Sequence, residues 1–172
     1  MSRIAGSSAE VAIDELRRRY VPSLSTAAAI LLGAMLPLVP GSAWLPNLGF
    51  LMLVTWRLVR PEIWRAQAAL GFGLAADIVS GAPLGQSMLL WTLVFLGFDS
   101  LDAWLGVRDY WLDWAAAAAA ILFHSVGVWY IALLMGSDTR FWIMVPQIIF
   151  SVLFYPVAAR IVLALDRWRL AR

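Results

Sequence analysis

Asp77 is the residue in this sequence whose type and position most suggest chemistry. It is the one charged residue in the stretch 66–98, which is otherwise apolar or uncharged. A carboxylate in such surroundings is costly unless it is used, so two interpretations compete. It could bind an ion or a substrate. The favoured interpretation is structural: Asp77 lies one helical turn before Gly81, and we expect its carboxylate to accept hydrogen bonds from the 81–85 turn or from a neighbouring helix.

His124 is the only histidine, and Ser125 follows it, which raises the question of a nucleophile pair. Neighbouring positions of a helix point about 100° apart, so the serine is poorly placed for the imidazole. A relay between His124 and Asp77 is the other conceivable chemistry. Because the sequence has no cysteine, no second histidine and no paired carboxylate, we expect no catalytic residue, no metal site and no cofactor. The favoured interpretation is a buried histidine that hydrogen-bonds to a neighbouring helix.

A row of polar residues follows one face of the last apolar segment. Gln147, Ser151 and Tyr155 are spaced by four residues, so they lie above one another on a helix. A pore or a ligand pocket would use such a row, and so would ordinary hydrogen bonding between helices. We favour the second interpretation, because polar side chains inside a helix bundle commonly bond across helices.

The elements that position these residues must be membrane helices. Hydrophobic residues make up 62% of the 172 residues and charged residues 14%, whereas soluble domains average roughly 45–50% and about 25%. All thirteen basic residues are arginines, and they lie at the ends of apolar runs rather than in one cluster, so no nucleic-acid partner is expected. The composition therefore predicts an all-α integral membrane protein in contact with the lipid bilayer.

Uncharged stretches and helix breakers divide the chain into six predicted transmembrane helices. A bilayer core requires about 20 apolar residues per helix, and prolines and glycines divide the stretches that are long enough for two. The predicted helices are 22–39, 46–59, 62–80, 83–100, 112–135 and 141–165. They form one transmembrane domain, 22–165, between an N-terminal segment 1–21 and a C-terminal tail 166–172. The second helix is short, so it requires snorkelling ends, a thinner bilayer or burial behind longer neighbours.

The arginines predict the orientation of these helices. If the N-terminus is cytoplasmic, Arg140 alone of the thirteen arginines falls in an outer turn (40–46, 81–85 or 136–140). Cytoplasmic loops carry the excess of arginine, so both termini are predicted to be cytoplasmic. We expect Arg57 and Arg65 to snorkel to the inner interface. Most tryptophans near helix ends are predicted to be interface anchors, namely Trp44, Trp56, Trp64, Trp104, Trp111, Trp114, Trp142 and Trp168.

Small residues mark one face of the third predicted helix. Ala69 and Gly73 are four residues apart and share this face with Ala76. Small side chains at this spacing allow another helix to approach closely. We therefore expect a close helix–helix contact at Ala69 and Gly73.

Three motifs stand out along the chain: Pro46-Asn47-Leu48, the run GFGLAADIVSGAPLG at 71–85, and LFYP at 153–156. In this order they resemble the rod shape-determining protein MreD family of bacterial inner membranes. The resemblance implies a multi-pass protein of the bacterial inner membrane with no catalytic activity. It also implies partners in the machinery that builds lateral peptidoglycan: an MreC-like scaffold, MreB, RodA and a penicillin-binding transpeptidase.

The motifs and the polar residues together supply the candidate structural or partner-contact sites. These are Pro46, Asn47, Gly73, Asp77, Gly81, Pro83, Gly85, His124, Gln147, Tyr155 and Pro156.

The resemblance also implies a fold similar to the substrate-binding components of energy-coupling-factor vitamin transporters. This supplies an alternative function, a membrane component that binds a small molecule. Such a component needs a polar pocket at the outer face, which the short outer turns are not expected to form. An intramembrane enzyme is the third hypothesis, and it would need paired titratable groups.

Overall fold

The structure is a computed structural model that describes residues 8–35, 45–104, 109–138 and 140–171. The described residues contain six α-helices and no strand, and a short 3-10 turn, Phe141–Ile143, precedes the last helix. The helices are α1 (Ser8–Met35), α2 (Leu48–Val59), α3 (Ala66–Ser80), α4 (Gln86–Trp104), α5 (Tyr110–Leu134) and α6 (Val145–Leu170). The prediction of an all-α chain with six helices in this order is confirmed.

Several helix ends differ from the prediction, and the cause is similar in each case. α1 begins at Ser8 rather than at residue 22, and α6 continues to Leu170 rather than stopping at residue 165. Charged residues ended the predicted helices, but arginine and glutamate are good helix formers, so charge does not end the helix itself. α4 likewise continues to Trp104. The predicted end of the first helix, at residue 39, lies outside the described residues.

The third helix begins later than predicted, at Ala66 rather than at residue 62. Residues 61–63 form a turn instead, in which the backbone N–H of Ile63 donates to the carbonyl of Arg60. Pro61 stands at the start of this turn, and proline disfavours helical conformation in the residue before it. The turn is therefore a physical break between α2 and α3.

The short helix α2 is the centre of the bundle. It packs against α1, α5 and α6, and nine of its twelve residues are buried. At 1.5 Å per residue it is about 18 Å long, well short of the roughly 30 Å of a bilayer core. Burial behind longer neighbours would allow so short a helix to avoid a mismatch with lipid. The neighbours keep many large apolar side chains on the outside, among them Leu122, Phe123, Ile149, Phe150 and Leu153.

Two described segments are long and apolar enough to cross a membrane by themselves. They are Tyr110–Leu134 and Phe141–Leu170. Within the apolar stretch of 18 residues in each segment, 28% is buried against the rest of the protein. The remaining apolar surface would be unfavourable in water, so it fits an exterior that faces lipid.

Two expectations about interface residues are wrong. Trp56 and Trp64 are buried in the bundle, and the indole N–H of Trp56 donates to Ser25 Oγ at 3.0 Å. Arg57 does not snorkel, because its side chain is only 3% exposed and turns toward α4. Four other tryptophans are exposed, as expected of interface anchors: Trp104, Trp111, Trp142 and Trp168. Trp44 lies outside the described residues.

Candidate functional site

Asp77 joins the end of α3 to the beginning of α4. Its side chain is fully buried, at 0% exposure. One carboxylate oxygen accepts from the backbone N–H of Gly85 at 2.9 Å, and the other accepts from that of Ser87 at 2.9 Å. A longer contact of 3.4 Å comes from the N–H of Met88. The first N–H groups of a helix have no partner within the helix and favour a negative charge. Asp77 therefore caps α4 from the preceding helix, which is the bonding expected of a structural carboxylate.

The turn between α3 and α4 depends on two glycines with positive φ. Gly81 (φ 69°) ends α3 in the left-handed conformation, and Gly85 (φ 95°) directly precedes α4. Other residues are strained at such angles. Pro83 is exposed between them, and its carbonyl accepts from the N–H of Gln86 at 3.0 Å. This turn returns the chain so that the start of α4 meets Asp77.

Gly73 allows the start of α4 to lie directly against α3. A Cβ atom on Gly73 would lie 2.6 Å from Cα of Met88 and 2.7 Å from its backbone nitrogen. No side chain fits there unless α4 moves away. The predicted close approach of another helix is confirmed at Gly73, where that helix is α4. Ala69 is fully buried. Gly73 and Asp77 act together: the glycine permits the approach, and the carboxylate holds it.

A polar cavity of about 150 Å³ lies at the end of the bundle where α2, α4 and α6 begin. Its polar lining comes from Asn47, Ser80, Gln86, Ser87, His124, Ser125, Gln147 and Ser151. Apolar walls come from Phe50, Ile121 and Val128. The expectation that short outer turns exclude a pocket is therefore wrong, because helix ends and the middle of α5 supply most of the lining.

His124 and Asn47 meet at this cavity. His124 is 6% exposed and lies between the rings of Phe50 and Trp91, with centroids 4.4 and 6.4 Å away. Its Nε2 is 3.4 Å from the amide nitrogen Nδ2 of Asn47. Asn47 also caps α2, because its Oδ1 accepts from the backbone N–H of Phe50 at 3.0 Å. The expected contact between the histidine and a neighbouring helix is present, and it is a long one.

The polar row on α6 divides into two parts. Gln147 and Ser151 line the cavity. The hydroxyl of Ser151 donates to the carbonyl of Gln147 in its own helix at 2.7 Å, so for Ser151 the favoured interpretation of a bond between helices is wrong. Tyr155 is buried one turn further along, and Pro156 follows it inside α6 without ending the helix. Pro46 is buried just before the cap of α2.

Charged residues form a second cluster at the opposite end of the bundle, and sequence reasoning missed it. Arg57 of α2 donates to Asp99 at 2.5 Å and to Asp102 at 2.8 Å, both on α4. The signal in the sequence was an arginine at the end of an apolar run and two aspartates three residues apart. Sequence alone did not show that these helix ends are neighbours.

The same end also joins α1, α2 and α6. Asp166 accepts from Arg60 at 2.6 Å and from Arg169 at 2.7 Å. Arg169 in turn donates to the carbonyl of Arg18 at 3.0 Å. The hydrogen bond to Asp166 raises the pKa of Arg60 above its ordinary value. These ion pairs are structural links between helix ends.

Most predicted site residues therefore lie at one end of the bundle. Asn47, His124 and Gln147 share the cavity, while Gly73, Asp77, Gly81 and Gly85 build the neighbouring α3–α4 junction. Tyr155 and Pro156 lie deeper along α6. Over the part of the chain that the structure describes, no three histidine or acidic side chains are grouped as a metal site would require.

The chain matches a known protein family. No curated protein and no solved structure matches the chain, so the expected likeness to vitamin-transporter components has no support. The family described as rod shape-determining protein MreD matches residues 18–165. That match includes both glycines of the turn, Asp77 and the polar cavity. The chain belongs to the MreD family of membrane proteins that act in rod shape determination.

Proposed function

We propose that this protein is a non-enzymatic, multi-pass subunit of the bacterial cell-elongation complex in the inner membrane. It supports lateral peptidoglycan synthesis and rod shape by binding partner proteins. The observation that carries the proposal is the family match over residues 18–165, which includes α2 to α5 completely and most of α1 and α6. The partners are an MreC-like scaffold first, and with it MreB, RodA and a penicillin-binding transpeptidase.

The hydrogen bonds and ion pairs of the buried charged side chains support a structural role. Both carboxylate oxygens of Asp77 accept backbone N–H groups of α4. Arg57 is held between two aspartates of α4. A catalytic or ion-coupling group must instead change partners or protonation during its cycle. These residues hold helices together, as a protein that serves as a binding platform requires.

The proposed topology has six crossings and cytoplasmic termini. The arginine-containing middle of α1 lies beside the arginine-rich ends of α2 and α6, and the polar cavity lies at the opposite end of the bundle. Positive residues remain on the cytoplasmic side. Because the chain has no cysteine, single substitutions Ala43→Cys, Pro83→Cys and Asp138→Cys provide clean probes. All three are expected to react with an impermeant thiol reagent from outside the cell.

Glu62→Cys is the matched control for this labelling, because Glu62 is exposed in the turn between α2 and α3. It should react only after the membrane is opened. Labelling of Glu62→Cys from outside, or protection of any of the other three, would contradict the topology.

The function itself is tested by depletion and complementation. Cells depleted of the protein are expected to become round, and the wild-type chain should restore rods. Purification of the tagged chain from the same membranes should recover the MreC-like scaffold. Restored shape without any recovered elongation protein would contradict the partner-binding role.

The polar cavity favours a second candidate function, a small-molecule-binding component of a transporter. This function predicts that depletion reduces uptake of a vitamin-type nutrient and leaves cell shape unchanged once the nutrient is supplied. Cell shape that fails to recover with nutrients supports the elongation role instead.

A further inference from the structure

We propose that the outer face of α6 binds an anionic phospholipid, whose phosphate lies between the guanidinium groups of Arg160 and Arg167. The lipid belongs to the leaflet at the charged end of the bundle, whichever side of the membrane that end occupies. This site goes beyond the proposed role in cell elongation and does not depend on it. Three features of α6 carry the proposal: two exposed arginines on one face, the burial of its only acidic residue, and a row of exposed apolar side chains.

Arg160 and Arg167 lie on the same side of α6, away from the bundle. Both are exposed, and their spacing of seven residues places them within about 20° of each other around the helix axis. Tyr155 and Val162, which are buried, lie on the opposite side of the helix. The segment Phe141–Leu170 is long and apolar enough to cross a membrane, so the side with the two arginines would face lipid.

Arg160 lies deeper in the bundle than the charged cluster. Asp166, which joins Arg60 and Arg169, comes six residues later in α6, about 9 Å further along the axis at 1.5 Å per residue. The side chain of Arg160 makes no hydrogen bond or ion pair with a residue that the structure describes. An arginine that faces lipid at this depth extends toward the membrane surface and requires an anion or water there. A lipid phosphate is the anion that the surroundings supply.

Arg167 is positioned to share that anion. Its Nε donates to the carbonyl of Leu163 at 3.3 Å, and this bond draws the guanidinium back along α6 toward Arg160. Ala164 lies between the two arginines on the same exposed side, and its methyl group is too small to fill the space between them. Guanidinium groups bind phosphate oxygens through paired, charge-assisted hydrogen bonds. One phosphate over Ala164 would therefore contact both arginines.

The charges near this face favour an anionic lipid over a zwitterionic one. Asp166 is the only acidic residue of α6, and it is 3% exposed and engaged by Arg60 and Arg169. An ammonium headgroup would therefore find no free carboxylate on α6. Arg17 of α1 adds positive charge at this end, because its guanidinium lies 4.6 Å from the ring centre of Trp168. A headgroup with net negative charge matches these surroundings.

The same face of α6 provides a surface for the acyl chains. Ile149, Leu153 and Val157 precede Arg160 at helical spacing, and all three are exposed. The face is thus apolar toward the middle of the bundle and positive toward its charged end, in the same order as the parts of a phospholipid. A soluble phosphate would match only the arginines, so the apolar row commits the site to a lipid.

Native mass spectrometry of the full chain in detergent tests the class of lipid. Phosphatidylglycerol is titrated and compared with phosphatidylethanolamine and phosphatidylcholine that carry the same acyl chains. We expect phosphatidylglycerol to bind at a concentration about tenfold lower than either of the others. Glycerol 3-phosphate should not displace it, because it lacks the acyl chains. Equal binding of the three lipids, or displacement by glycerol 3-phosphate, would overturn the proposal.

Substitution of the two arginines tests the place of binding. Arg160→Gln and Arg167→Gln should each weaken the binding of phosphatidylglycerol roughly fivefold. Arg65→Gln is the matched control, because it removes the same charge from another exposed arginine, and it should bind the lipid like the wild type. Unchanged binding in either variant of α6, or an equal loss in Arg65→Gln, would contradict the site.

A substitution that keeps both arginines separates this site from a general attraction to positive charge. Ala164→Leu fills the space between the arginines and should also weaken the binding of phosphatidylglycerol, whereas Ala75→Leu at an exposed position of α3 should not. Full binding by Ala164→Leu would show that no phosphate lies between the arginines. Loss of the MreC-like scaffold from purified Arg160→Gln, with lipid binding unchanged, would assign this face to a protein partner instead.

Discussion

The two sides of α4 differ in how closely they approach their neighbours. Toward α3, the backbones come so close at Gly73 that a Cβ atom there would lie 2.6 Å from Cα of Met88. Toward α5, a groove of about 340 Å³ opens, with an apolar lining. Gly97 lies in this groove, and a Cβ atom there would have no other heavy atom of the described chain within 4 Å. Small residues thus occur on both sides of α4, but only at Gly73 does the close contact involve the backbone of α4.

The close approach of α3 and α4 therefore depends on hydrogen bonds between the two helices, and not on small residues alone. On the α3 side, Asp77 binds backbone N–H groups of α4. On the α5 side, Leu90 packs over Gly127 near the cavity, and the groove opens further along. Small side chains permit an approach, but within a membrane they do not drive it, because lipid tails are as apolar as the helices.

The largest expected effect comes from Gly73→Leu. The new side chain would collide with backbone atoms of Met88 and Ser87, which cannot give way as a flexible side chain does. Overpacking typically costs about 1–3 kcal/mol, and a collision with backbone in a capped junction should exceed that range. We expect the folded protein to disappear from membranes, measured by immunoblot and size-exclusion profile. Leu70→Ile in the same helix should be mild, and equal losses would show that the α3–α4 contact is not at Gly73.

Asp77→Leu should come next. It leaves the N–H groups of Gly85 and Ser87 without an acceptor, at about 1–3 kcal/mol for each unsatisfied group. Asp77→Asn keeps an accepting oxygen and should retain much of the function. The measurement is restoration of rod shape in a depletion strain, with protein level checked in parallel. An abundant Asp77→Asn protein that binds its partners and yet restores no shape would show that the charge itself is used.

Arg57→Met tests the other attachment of α4, at the charged end of the bundle. It removes two charge-assisted hydrogen bonds, to Asp99 and Asp102, each worth about 1.5–3 kcal/mol. The loss should be smaller than for Asp77→Leu, because both aspartates are partly exposed and can be solvated. The midpoint of thermal unfolding in detergent should fall, and Asp99→Asn should lower it less. An unchanged midpoint for Arg57→Met would mean that the junction at Asp77 alone holds α4.

The smallest expected effect on folding comes from Gly97→Leu in the groove. A side chain there meets open space, as it does at the matched position Gly71 on α3. Gly97→Leu and Gly71→Leu should both keep wild-type abundance and unfolding midpoint. Recovery of the MreC-like scaffold is then measured in both variants. Its loss in Gly97→Leu alone would place a partner against the groove, and its persistence would place partner contact elsewhere.

Local patterns in the sequence determined the helices and the Asp77 junction. The six helices follow from apolar runs and breakers, and α2 lies within two residues of its predicted start. The junction was predictable because Asp77, Gly81 and Gly85 are close along the chain, so the turn geometry alone brings the carboxylate near the next helix. The resemblance of the motif at 71–85 to the MreD family rests on the same short-range pattern.

Only the tertiary structure shows which residues are buried between helices and which lie on the outside of the bundle. Trp56 and Arg57 were expected at the interface with lipid, yet both are buried because α2 is enclosed by its neighbours. The cavity likewise depends on Asn47, His124 and Gln147, which come from three helices far apart in sequence. In a soluble protein, water marks the outer face of a helix with polar residues. In a bilayer the outside is as apolar as the core, so periodicity loses this contrast and only the packed helices reveal the inside.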